Sequence, residues 1–378
     1  MIDVLVVGAG PAGALAAWRL ASRGVRVMLV DREQFPRHKL CGDTLNPGAV
    51  ALLRSLSLGD TPVETAFPLA GMLVTGPHAR VEARYGGDIS GRAIERRVFD
   101  QWLLSRAIAA GVQFEDRVTV RSPIADSSNL EPCVRGVKAT LHGSRREIEI
   151  PARLTLAADG RSSAIARSLG LAWHPKAPRR WAFGTYASGV TGTLDLGEMH
   201  IRGRKYIGVA PLSADLCNVC VVTGRPPSGS AALNVVKAEL QADPELRQRF
   251  ARARFEAPVT VLGPLAVRAK GCGVDGVLLA GDAAGFVDPM TGDGLHLAMK
   301  GGLLAADEML AVLQSGDSQS AVRRLESARA KAIGQKLRFN RMLRRLVETP
   351  AAVDAAGWAA RVVPSAVRWA VRYAGDSA

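Results

Sequence analysis

The sequence predicts an α/β fold in which one parallel sheet is interrupted by an antiparallel sheet and followed by helices. Three observations predict it. A glycine-rich turn joins a buried strand to a helix near the start of the chain, two later buried strands each run into an acid and a glycine, and apolar and polar residues alternate over residues 181–223. Strands that are buried on both faces are typical of parallel sheets, whereas alternation indicates a sheet with one covered face.

The first unit of the chain is a strand, a turn, a helix and a second strand. Residues 2–7 are almost wholly apolar, residues 14–21 predict a helix rich in alanine and leucine, and residues 25–30 predict a buried strand that ends at Asp31. The turn has the sequence Gly8-Ala9-Gly10-Pro11-Ala12-Gly13. This order of elements, with an acid about 20 residues after the glycines, indicates a nucleotide-binding Rossmann unit.

Each glycine of this turn has a physical reason. Gly8 permits the tight turn, Gly10 lets the backbone approach a pyrophosphate, and Gly13 lets the helix pack closely on the strand. The N-terminus of the helix then faces the diphosphate, and Asp31 can accept a hydrogen bond from a ribose hydroxyl.

The other elements follow in chain order. We expect a helix over residues 47–58, short strands within 62–90, a helix over 96–110, strands near 112–120 and 134–150 with an exposed loop at 122–132, a strand at 153–158, a helical patch at 244–250, a strand at 274–280 and helices from Leu295 onwards. These elements predict a nucleotide-binding domain (residues 1–61, 91–170 and 265–320), a substrate domain (62–90 and 171–264) and a C-terminal helical segment (321–378).

Composition limits the class of protein. The chain has 378 residues and a hydrophobic content of 48%, which indicates a folded globular protein. It has no apolar run long enough to cross a membrane and no signal peptide. Its five cysteines predict free thiols in a cytoplasmic protein. Cys217 and Cys220 lie three apart in a predicted strand, so they should point to opposite faces and hold no metal.

The net charge of +14 is concentrated after Ser320. It could serve nucleic acid, an anionic membrane or an acidic ligand. No nucleic-acid module is present, and the chain has four tyrosines to stack bases, so we expect no nucleic acid. A solvated helical face is the favoured interpretation, and a basic, partly apolar helix docking on a membrane is the alternative.

Two later segments resemble the first in position. Asp159-Gly160 follows the strand at 153–158, and Gly281-Asp282 follows the strand at 274–280. Acids at the carboxyl ends of such strands lie in the crevice where open α/β sheets bind ligands. Pro289 and the glycines after it then shape the start of a helix, whose free N–H groups can stabilise the negative charge of a reduced flavin.

The three segments, in this order over about residues 1–310, resemble FAD-dependent oxidoreductases of the para-hydroxybenzoate hydroxylase fold. Residues 36–43 and 281–285, with Asp288-Pro289, resemble the geranylgeranyl-reductase-like branch. That branch includes prenyl-lipid saturases and many bacterial monooxygenases of secondary metabolism. The resemblance implies a Rossmann-type FAD-binding domain (glutathione reductase type 2) with an inserted antiparallel substrate sheet and a C-terminal helical segment.

The resemblance also implies which residues hold FAD. The ADP part would lie on the first glycine turn and Asp31, Arg96 in its R-x-x-F-D pattern would reach the phosphate-ribityl region, and Asp282 would hold the ribityl chain. The full set of implied cofactor residues is Gly8, Gly10, Pro11, Ala12, Gly13, Asp31, Arg32, Cys41, Gly42, Arg96, Asp159, Gly281, Asp282, Pro289, Gly292, Asp293 and Gly294. Arg37 and Lys39 could bind cofactor phosphate or be solvated.

Catalytic roles are expected for Cys41 and for the backbone at Pro289, Gly292 and Gly294. In the resembling branch this cysteine lies near the flavin ring, where it could tune the flavin, contact substrate or attach covalently. The alternative is a buried small residue beside Gly42. No second glycine-rich strand–turn–helix unit is present, so the resemblance implies transient reduction by NAD(P)H or by a separate electron donor.

Two reactions fit this resemblance. The favoured one is monooxygenation of a small apolar or aromatic metabolite through a flavin C4a-hydroperoxide, and halogenation is disfavoured because no W-x-W-x-I pattern occurs. The alternative is saturation of prenyl or alkenyl chains. The usual reductase pattern is P-x-x-Y-x-W-C-G, but this chain has His38 and Leu40 at the two aromatic positions. A flavin-binding protein without turnover is a third hypothesis.

The substrate is expected between the FAD-binding domain and the sheet near residues 181–223. Phe183, Met199 and Tyr206 are the predicted contacts, with plain core as the alternative for each. Glu198 and His200 could add polar contacts. The basic C-terminal segment with Trp358, Trp369 and Tyr373 would fit a lipid-like substrate or a peripheral membrane contact.

Overall fold

The computed structural model describes residues 2–86, 90–126, 133–143, 146–177, 179–224, 232–256 and 258–375. Its helices are α1 Pro11–Ala21, α2 Pro47–Arg54, α3 Arg96–Ala109, α4 Ala164–Ser168, α5 Ala232–Ala242, α6 Gly294–Ser315, α7 Ala321–Glu348, α8 Pro350–Val362 and α9 Pro364–Ala374. Short 3₁₀ turns span Gly160–Ser162, Gly281–Ala284 and Pro289–Thr291.

The strands in the first part of the chain are β1 Ile2–Val7, β2 Val27–Val30, β3 Thr44–Leu45, β4 Phe67–Leu69, β5 Gly71–Thr75, β6 Arg80–Arg84, β7 Gly91–Ala93, β8 Gln113–Glu115, β9 Val118–Asp126, β10 Cys133–Leu141 and β11 Glu147–Ala157. The remaining strands are β12 Ala172–Trp173, β13 Trp181–Ser188, β14 Leu196–Arg202, β15 Lys205–Pro211, β16 Leu216–Thr223, β17 Arg254–Phe255, β18 Thr260–Leu262, β19 Arg268–Ala269, β20 Gly273–Val274 and β21 Val277–Leu279.

The first sheet has a parallel core in the order β21-β11-β1-β2-β8. Val7 pairs with Ala157 on one side and with Val30 on the other, and Ala157 pairs with Leu279. The carboxyl ends of β1, β2, β11 and β21 therefore lie side by side. The three motifs that follow β1, β11 and β21 meet at this one edge of the sheet, as the α/β fold class requires.

Apolar side chains cover both faces of the parallel core. Alanines and leucines of α1 and α6 pack on one face, together with Leu104 and Leu325. The other face packs against α4 and the β9–β10 hairpin. Burial on both faces explains why residues 4–7 and 277–280 are continuous apolar runs rather than alternating ones.

The second sheet has the order β17-β13-β16-β15-β14-β5-β6, with β18 also on β13. All its pairs are antiparallel except β14 with β5. One face, which we call the outer face, packs against α5 and Phe250. The opposite face, the inner face, packs against Met290 and the α7 residue Val347. A small third sheet has the order β3-β7-β4.

Two expectations from the sequence are wrong in detail. Residues 122–126 belong to β9 rather than to a loop, because Ser122 and Pro123 pair with β10 across a register shift; residues 127–132 lie outside the described residues. Residues 244–250 form turns rather than a helix. The carboxylate of Asp243 accepts hydrogen bonds from the backbone N–H groups of Glu245 and Leu246, which caps this turn locally.

The five cysteines are free thiols. Cys217 packs in the outer-face cluster and Cys220 in the inner-face cluster, so the expectation that they point to opposite faces is confirmed. In the part of the chain that the structure describes, no helix is both long and apolar enough to cross a membrane.

Candidate active site

The glycine turn and Asp31 form one hydrogen-bonded unit at the carboxyl edge of the parallel sheet. Asp31 is 9% exposed, and its Oδ2 accepts a hydrogen bond from the backbone N–H of Ala9 at 2.7 Å. Its Oδ1 accepts one from the N–H of Glu33 at 2.9 Å. Asp31 therefore fixes the turn as well as facing the expected ribose position, and each oxygen keeps a further lone pair for a hydroxyl.

The three glycines of the turn differ in what surrounds them. A methyl group built on Gly8 would lie 2.5 Å from the carbonyl oxygen of Ala158, and one on Gly13 would lie 1.9 Å from the carbonyl oxygen of Gly8. These two glycines are required for packing. A methyl group on Gly10 would meet only Arg37, at 3.6 Å. Gly10 is therefore free of close packing by the protein, as an approach site for a ligand should be.

Arg37 lies beside this open position. Its Nη2 forms an ion pair with Asp100 at 3.0 Å, and its guanidinium stacks over the ring of Phe35 at 4.8 Å. Its Nη1 is buried and has no hydrogen-bond partner among the described residues. A buried guanidinium N–H without a partner, beside a helix N-terminus, fits a phosphate oxygen.

The same cleft gathers further positive charge. Burial, reinforced by Arg37 and Arg96, lowers the pKa of Lys39 to about 8. Burial raises the pKa of Asp282, and the nearby Lys39, Arg96 and Arg161 oppose that rise. Four cations, Arg37, Lys39, Arg96 and Arg161, therefore lie around two carboxylates, Asp282 and Asp100. This excess of positive charge fits the diphosphate of an extended FAD, with Asp282 free to accept from its sugar-alcohol chain.

Arg32 and Asp159 occupy the rim of this cleft. The Arg32 side chain is 60% exposed and pairs with Glu33 at 3.3 Å. Asp159 Oδ2 accepts a hydrogen bond from the N–H of Ala164 at 2.9 Å, whereas its Oδ1 is buried without a partner among the described residues. Burial raises the pKa of Asp159. Its side chain thus orders the turn after β11 and keeps one oxygen for a ligand.

Cys41 lies against the Arg96 side chain. Arg96 is nearly buried and donates two hydrogen bonds of 2.7 Å to the carboxylate of Asp100, four residues further along α3. The charge of Arg96 lies close enough to Cys41 to favour the thiolate. Burial nevertheless raises the pKa of the Cys41 thiol, so Cys41 is a neutral S–H group at neutral pH.

The Cys41 loop meets the loop that precedes α6. A methyl group built on Gly42 would lie 3.8 Å from Thr44 Oγ1, and one on Gly292 would lie 3.7 Å from the same oxygen. Gly292 has a φ of +66° and α6 begins at Gly294, two residues later. The free N–H groups at the start of α6 and the Pro289–Thr291 turn therefore lie close to the segment that carries Cys41.

A buried carboxylate joins the Cys41 loop to the second sheet. Asp43 is fully buried and has a φ of +53°. Its Oδ2 accepts hydrogen bonds from the hydroxyl of Tyr186 at 2.7 Å and from the side-chain amide of Asn218 at 2.8 Å. Its Oδ1 accepts from the backbone N–H of Arg96 at 3.3 Å. Burial raises the pKa of Asp43 to about 7.

A second carboxylate joins the loop before α6 to the same sheet. Asp288 Oδ1 accepts a hydrogen bond of 2.5 Å from the hydroxyl of Tyr206 and one of 3.2 Å from the N–H of Met290. Its Oδ2 accepts from Arg180 at 3.4 Å. Burial raises the pKa of Asp288. The residue therefore fixes the turn at Pro289–Thr291 against β15.

A third carboxylate joins the same loop to α7. Asp293 is 2% exposed, and both its oxygens accept from the side-chain amide of Asn340, at 3.1 and 3.0 Å. Thr291 donates to it as well, at 2.5 Å. The Asp293 carboxylate is thus engaged by the protein. The part of the residue left for a ligand is its backbone.

The predicted substrate residues lie on different faces of the second sheet. Met199 and Tyr206 belong to the inner face, with Met290. Phe183 is 1% exposed and packs in the outer-face cluster. It therefore does not line the space between the sheet and the cofactor loops. The reason is the period of two along β13, which places Phe183 opposite to Tyr186.

Glu198 and His200 are also on the outer face. His200 is fully buried, with Nδ1 2.9 Å from Thr75 Oγ1 and Nε2 2.9 Å from Glu198 Oε2. Arg249 donates to both oxygens of Glu198, at 2.6 and 2.7 Å. This threonine–histidine–glutamate arrangement resembles a hydrolytic triad in its order, but it is closed to substrate and joins β5, β14 and the turn after α5.

Sequence reasoning missed most of the partners that hold the loops. Asn218, Asn340, Arg180 and Thr44 were not singled out, and no polar role was assigned to Tyr186. The alternation of side chains along the strands could have identified two of these partners. Tyr186 on β13 and Asn218 on β16 pair directly, so their side chains lie on the same face of the sheet. Polar residues within inward positions of an otherwise apolar strand indicate a buried partner.

Comparison with known proteins agrees with this geometry. The family model described as FAD binding domain matches residues 1–340. A digeranylgeranylglycerophospholipid reductase of Methanopyrus kandleri is 29% identical over 346 residues, which cover 89% of this chain and 84% of that protein. A menaquinone reductase of Mycolicibacterium smegmatis is 29% identical over 321 residues, covering 81% of this chain and 76% of that protein.

Solved structures show the same fold. A geranylgeranyl bacteriochlorophyll reductase-like protein of Thermoplasma acidophilum superimposes with a TM-score of 0.79 at 20% identity and covers 93% of this chain and 89% of that one. The flavin-dependent brominase Bmp2 superimposes with a TM-score of 0.82 at 21% identity and covers 100% and 94%. The chain therefore belongs to the FAD binding domain family, and it is an FAD-dependent oxidoreductase of the geranylgeranyl-reductase-like branch.

Proposed function

We propose that this enzyme saturates carbon–carbon double bonds in the isoprenoid chain of a lipid, with FAD reduced by NADPH or NADH. The observation that carries the proposal is the neutral Cys41 thiol at the junction of the Cys41 loop and the loop before α6. Saturating a double bond requires one hydride equivalent and one proton, so the site needs an acid beside the cofactor.

The positions of the residues in the cleft determine which part of FAD we assign to each of them. We assign the diphosphate of FAD to the glycine turn, Arg37 and Lys39, the ribityl chain to Asp282, and the ring to the backbone at Pro289, Gly292 and Gly294. We assign residues 1–61, 91–170 and 265–320 to FAD binding and residues 62–90 and 171–264 to substrate binding. Bound FAD, once reduced, supplies the hydride equivalent.

Cys41 supplies the proton in this proposal. Its sulfur donates a proton to the second carbon of the double bond, and the neighbouring Arg96 guanidinium stabilises the thiolate that remains. A proton from solvent then restores the thiol. Asp43 holds the Cys41 loop against Tyr186 and Asn218, so it positions the sulfur rather than reacting itself.

The inner face of the second sheet supplies an apolar wall for such a chain. Its cluster is almost entirely aliphatic or thioether in character and comprises Leu40, Val74, Ala182, Met199, Ile201, Tyr206, Cys220, Val222, Leu262, Leu265, Phe286, Met290, Leu343, Leu346 and Val347. Flexible Met199 and Met290 adapt to branched isoprenoid units. The names of the two relatives, a prenylated phospholipid reductase and a menaquinone reductase, support this substrate class.

The test is product analysis under two atmospheres. The FAD-loaded enzyme is reduced with dithionite and mixed with menaquinone or a geranylgeranyl phospholipid without oxygen. Any quinol is then reoxidised to the quinone, so that a gain of hydrogens reports the isoprenoid chain alone, and the lipid is analysed by mass spectrometry. We expect the lipid to gain two hydrogens for each double bond that reacts. The proposal fails if neither lipid changes without oxygen although the flavin is reduced.

A monooxygenase is the second candidate. His38 and Leu40 replace the aromatic residues of the usual reductase pattern, and Leu40 packs against Gly184 of β13, 2.8 Å from the position of an added methyl group. An aromatic wall is therefore absent beside Cys41 at these two positions. In the same experiment, a product that gains one oxygen atom only after air is admitted would favour this candidate.

A further inference from the structure

Exposed apolar side chains are concentrated at the C-terminal helices. Among the described residues, five of the nine large apolar side chains that are exposed lie between residues 342 and 369. They are Met342, Trp358, Val362, Val363 and Trp369. Val362, at the corner between α8 and α9, is 79% exposed. Large apolar side chains grouped in this way on a surface mark a site of contact with another apolar phase.

Helix α9 is amphipathic but incompletely covered. Val367 and Val371 lie on its apolar side, and Arg368 and Arg372 lie on the other side, yet none of its residues is buried. A surface helix of a globular protein normally buries its apolar stripe in the core. In α9 the rest of the protein covers this apolar stripe only partly, since Val367 and Val371 are half-buried.

Positive charge surrounds this apolar corner. Residues 338–372 contain seven arginines against two acids, Glu348 and Asp354. Glu348 is paired with Arg344, and Asp354 lies beside His78. The exposed arginines that form no ion pair within the described part of the chain are Arg338, Arg341, Arg345, Arg361 and Arg368. Exposed apolar side chains and arginines are therefore interspersed along the same three helices, and Arg361 lies over the ring of Trp358.

The corner is held firmly at one end. The carbonyl oxygen of Ala374 accepts hydrogen bonds from Asn46 at 3.0 Å and from Lys336 at 2.8 Å. Arg372 Nε donates to the carbonyl oxygen of Arg84 at 3.1 Å. The end of α9 is thus fastened to the body of the enzyme. Trp369, in the middle of α9, meets the ring of Phe339 edge-on and stacks on Tyr373, and it remains 56% exposed.

We propose that the corner formed by α8 and α9, with the exposed arginines of α7 to α9, binds the surface of an anionic phospholipid bilayer. We call this surface the C-terminal corner. The exposed aliphatic side chain of Val362 can enter the boundary between lipid headgroups and acyl chains. Tryptophan side chains lie at the level of the headgroups, and arginine side chains pair with lipid phosphate. A nucleic-acid partner would not use an aliphatic side chain as exposed as that of Val362.

The position of the C-terminal corner relates it to the active site. Asn340, which holds Asp293 of the loop before α6, lies on α7 between the exposed Arg338 and Arg341. Helices α8 and α9 lie beyond the residues that the family model matches. The binding surface is therefore contiguous with a helix that contacts the site, and it is formed largely by a segment outside the common FAD-binding part.

Vesicle sedimentation tests the proposal without any turnover. The FAD-loaded enzyme is mixed with vesicles of phosphatidylcholine alone or with added phosphatidylserine, at low and high salt. We expect binding only to the anionic vesicles, weakened by salt because the arginines are exposed. Arg361→Glu/Arg368→Glu should lower the affinity by about tenfold or more. Arg23→Glu/Arg204→Glu changes the net charge equally at exposed arginines elsewhere and should bind like the native enzyme.

A second pair of variants separates apolar insertion from charge. Val362→Asp should lower vesicle affinity by about tenfold, whereas Leu141→Asp, at an exposed apolar residue of β10, should not. The proposal is overturned if anionic vesicles do not bind the enzyme, or if both members of either pair behave alike. It is also overturned if Val362→Asp converts a native dimer to a monomer in the absence of lipid, because the occupant is then a second copy of the chain.

Discussion

The carboxylate of Asp43 accepts a hydrogen bond of 2.7 Å from the hydroxyl of Tyr186, 143 residues further along the chain. This bond crosses from the loop that carries Cys41 to the inner face of the second sheet. Asp288 with Tyr206 and Asp293 with Asn340 repeat the arrangement on the loop before α6. Three buried carboxylates thus fix the two loops around the proposed flavin ring from the sheet and from α7.

Asp43 should make the stability of the apoprotein depend on pH. Burial raises the pKa of Asp43 from 3.8 to about 7. The unfolded chain then releases this proton at a lower pH than the native state, so stability falls as pH rises from about 4 to about 7. The full effect is about 4 kcal/mol. Urea unfolding of the native chain and of Asp43→Asn across this range checks it.

Asp43→Asn should lose this dependence, because its side chain does not titrate. The variant should be the less stable protein near pH 4.5. Its amide oxygen can replace Oδ2 toward Tyr186 and Asn218, but its NH2 group cannot accept the hydrogen bond that Oδ1 accepts from the N–H of Arg96. Its deficit should shrink as the pH rises. Equal pH slopes for the two proteins would show that Asp43 does not titrate in this range.

The glycines of the first turn should separate folding from binding. Gly10→Ala should leave the stability of the apoprotein unchanged, since the added methyl group meets nothing closer than 3.6 Å. It should weaken FAD binding by at least about tenfold by blocking the pyrophosphate. Gly13→Ala should instead destabilise the fold by about 3 kcal/mol, because its methyl group would overlap the Gly8 carbonyl oxygen.

Thermal unfolding without FAD and fluorescence titration with FAD distinguish these two effects. If Gly10→Ala lowered the stability of the apoprotein and left the FAD affinity unchanged, Gly10 would be a packing residue and the assigned pyrophosphate position would be incorrect.

Arg37 should contribute directly to FAD affinity. Its unpartnered Nη1 gains a charge-assisted hydrogen bond when a phosphate binds, worth about 2 kcal/mol. Arg37→Lys keeps the charge beside Asp100 but loses the forked donors, so the affinity for FAD should fall by about tenfold or more. Arg23→Lys, at an exposed arginine after α1, serves as the control. Equal affinities for the two variants would place the phosphates elsewhere.

The outer-face network should affect stability and not turnover. Glu198→Gln and Arg249→Leu each break a buried ion pair, and each should lower the unfolding free energy by about 3 kcal/mol. The double variant should lose less than the sum, since neither partner is left uncompensated. Because this network is closed to substrate, the KM of the folded variants should remain that of the native enzyme; a raised KM would place Glu198 in the substrate site.

Much of the fold follows from local patterns in the sequence. Buried apolar runs predicted the strands of the parallel sheet, and the glycine-acid motifs predicted where their carboxyl ends meet. The second half of β9, residues 122–126, was predicted as loop because Ser122 and Pro123 are poor strand residues that pairing with β10 retains. The turns at 244–250 were missed because Asp243 satisfies backbone N–H groups that a helix would otherwise use.

Sequence reasoning identified only some of the residues of the candidate site. Motif spacing singled out Cys41, Asp282 and the glycines, because each of these residues belongs to a short local motif. The partners Tyr186, Asn218 and Asn340 act through contacts over more than 40 residues of separation. Such pairs depend on how two sheets and a helix pack, which no local pattern encodes.

The most direct test of the account is the rate at which a lipid oxidises the reduced flavin without oxygen. The FAD-loaded enzyme and its Cys41→Ser variant are reduced, mixed rapidly with a geranylgeranyl phospholipid, and followed by flavin absorbance, with Cys133→Ser as the control. The account predicts oxidation by the native enzyme and the control, and a rate about a hundredfold lower for Cys41→Ser. Flavin that stays reduced until air is admitted, or equal rates for all three proteins, would contradict it.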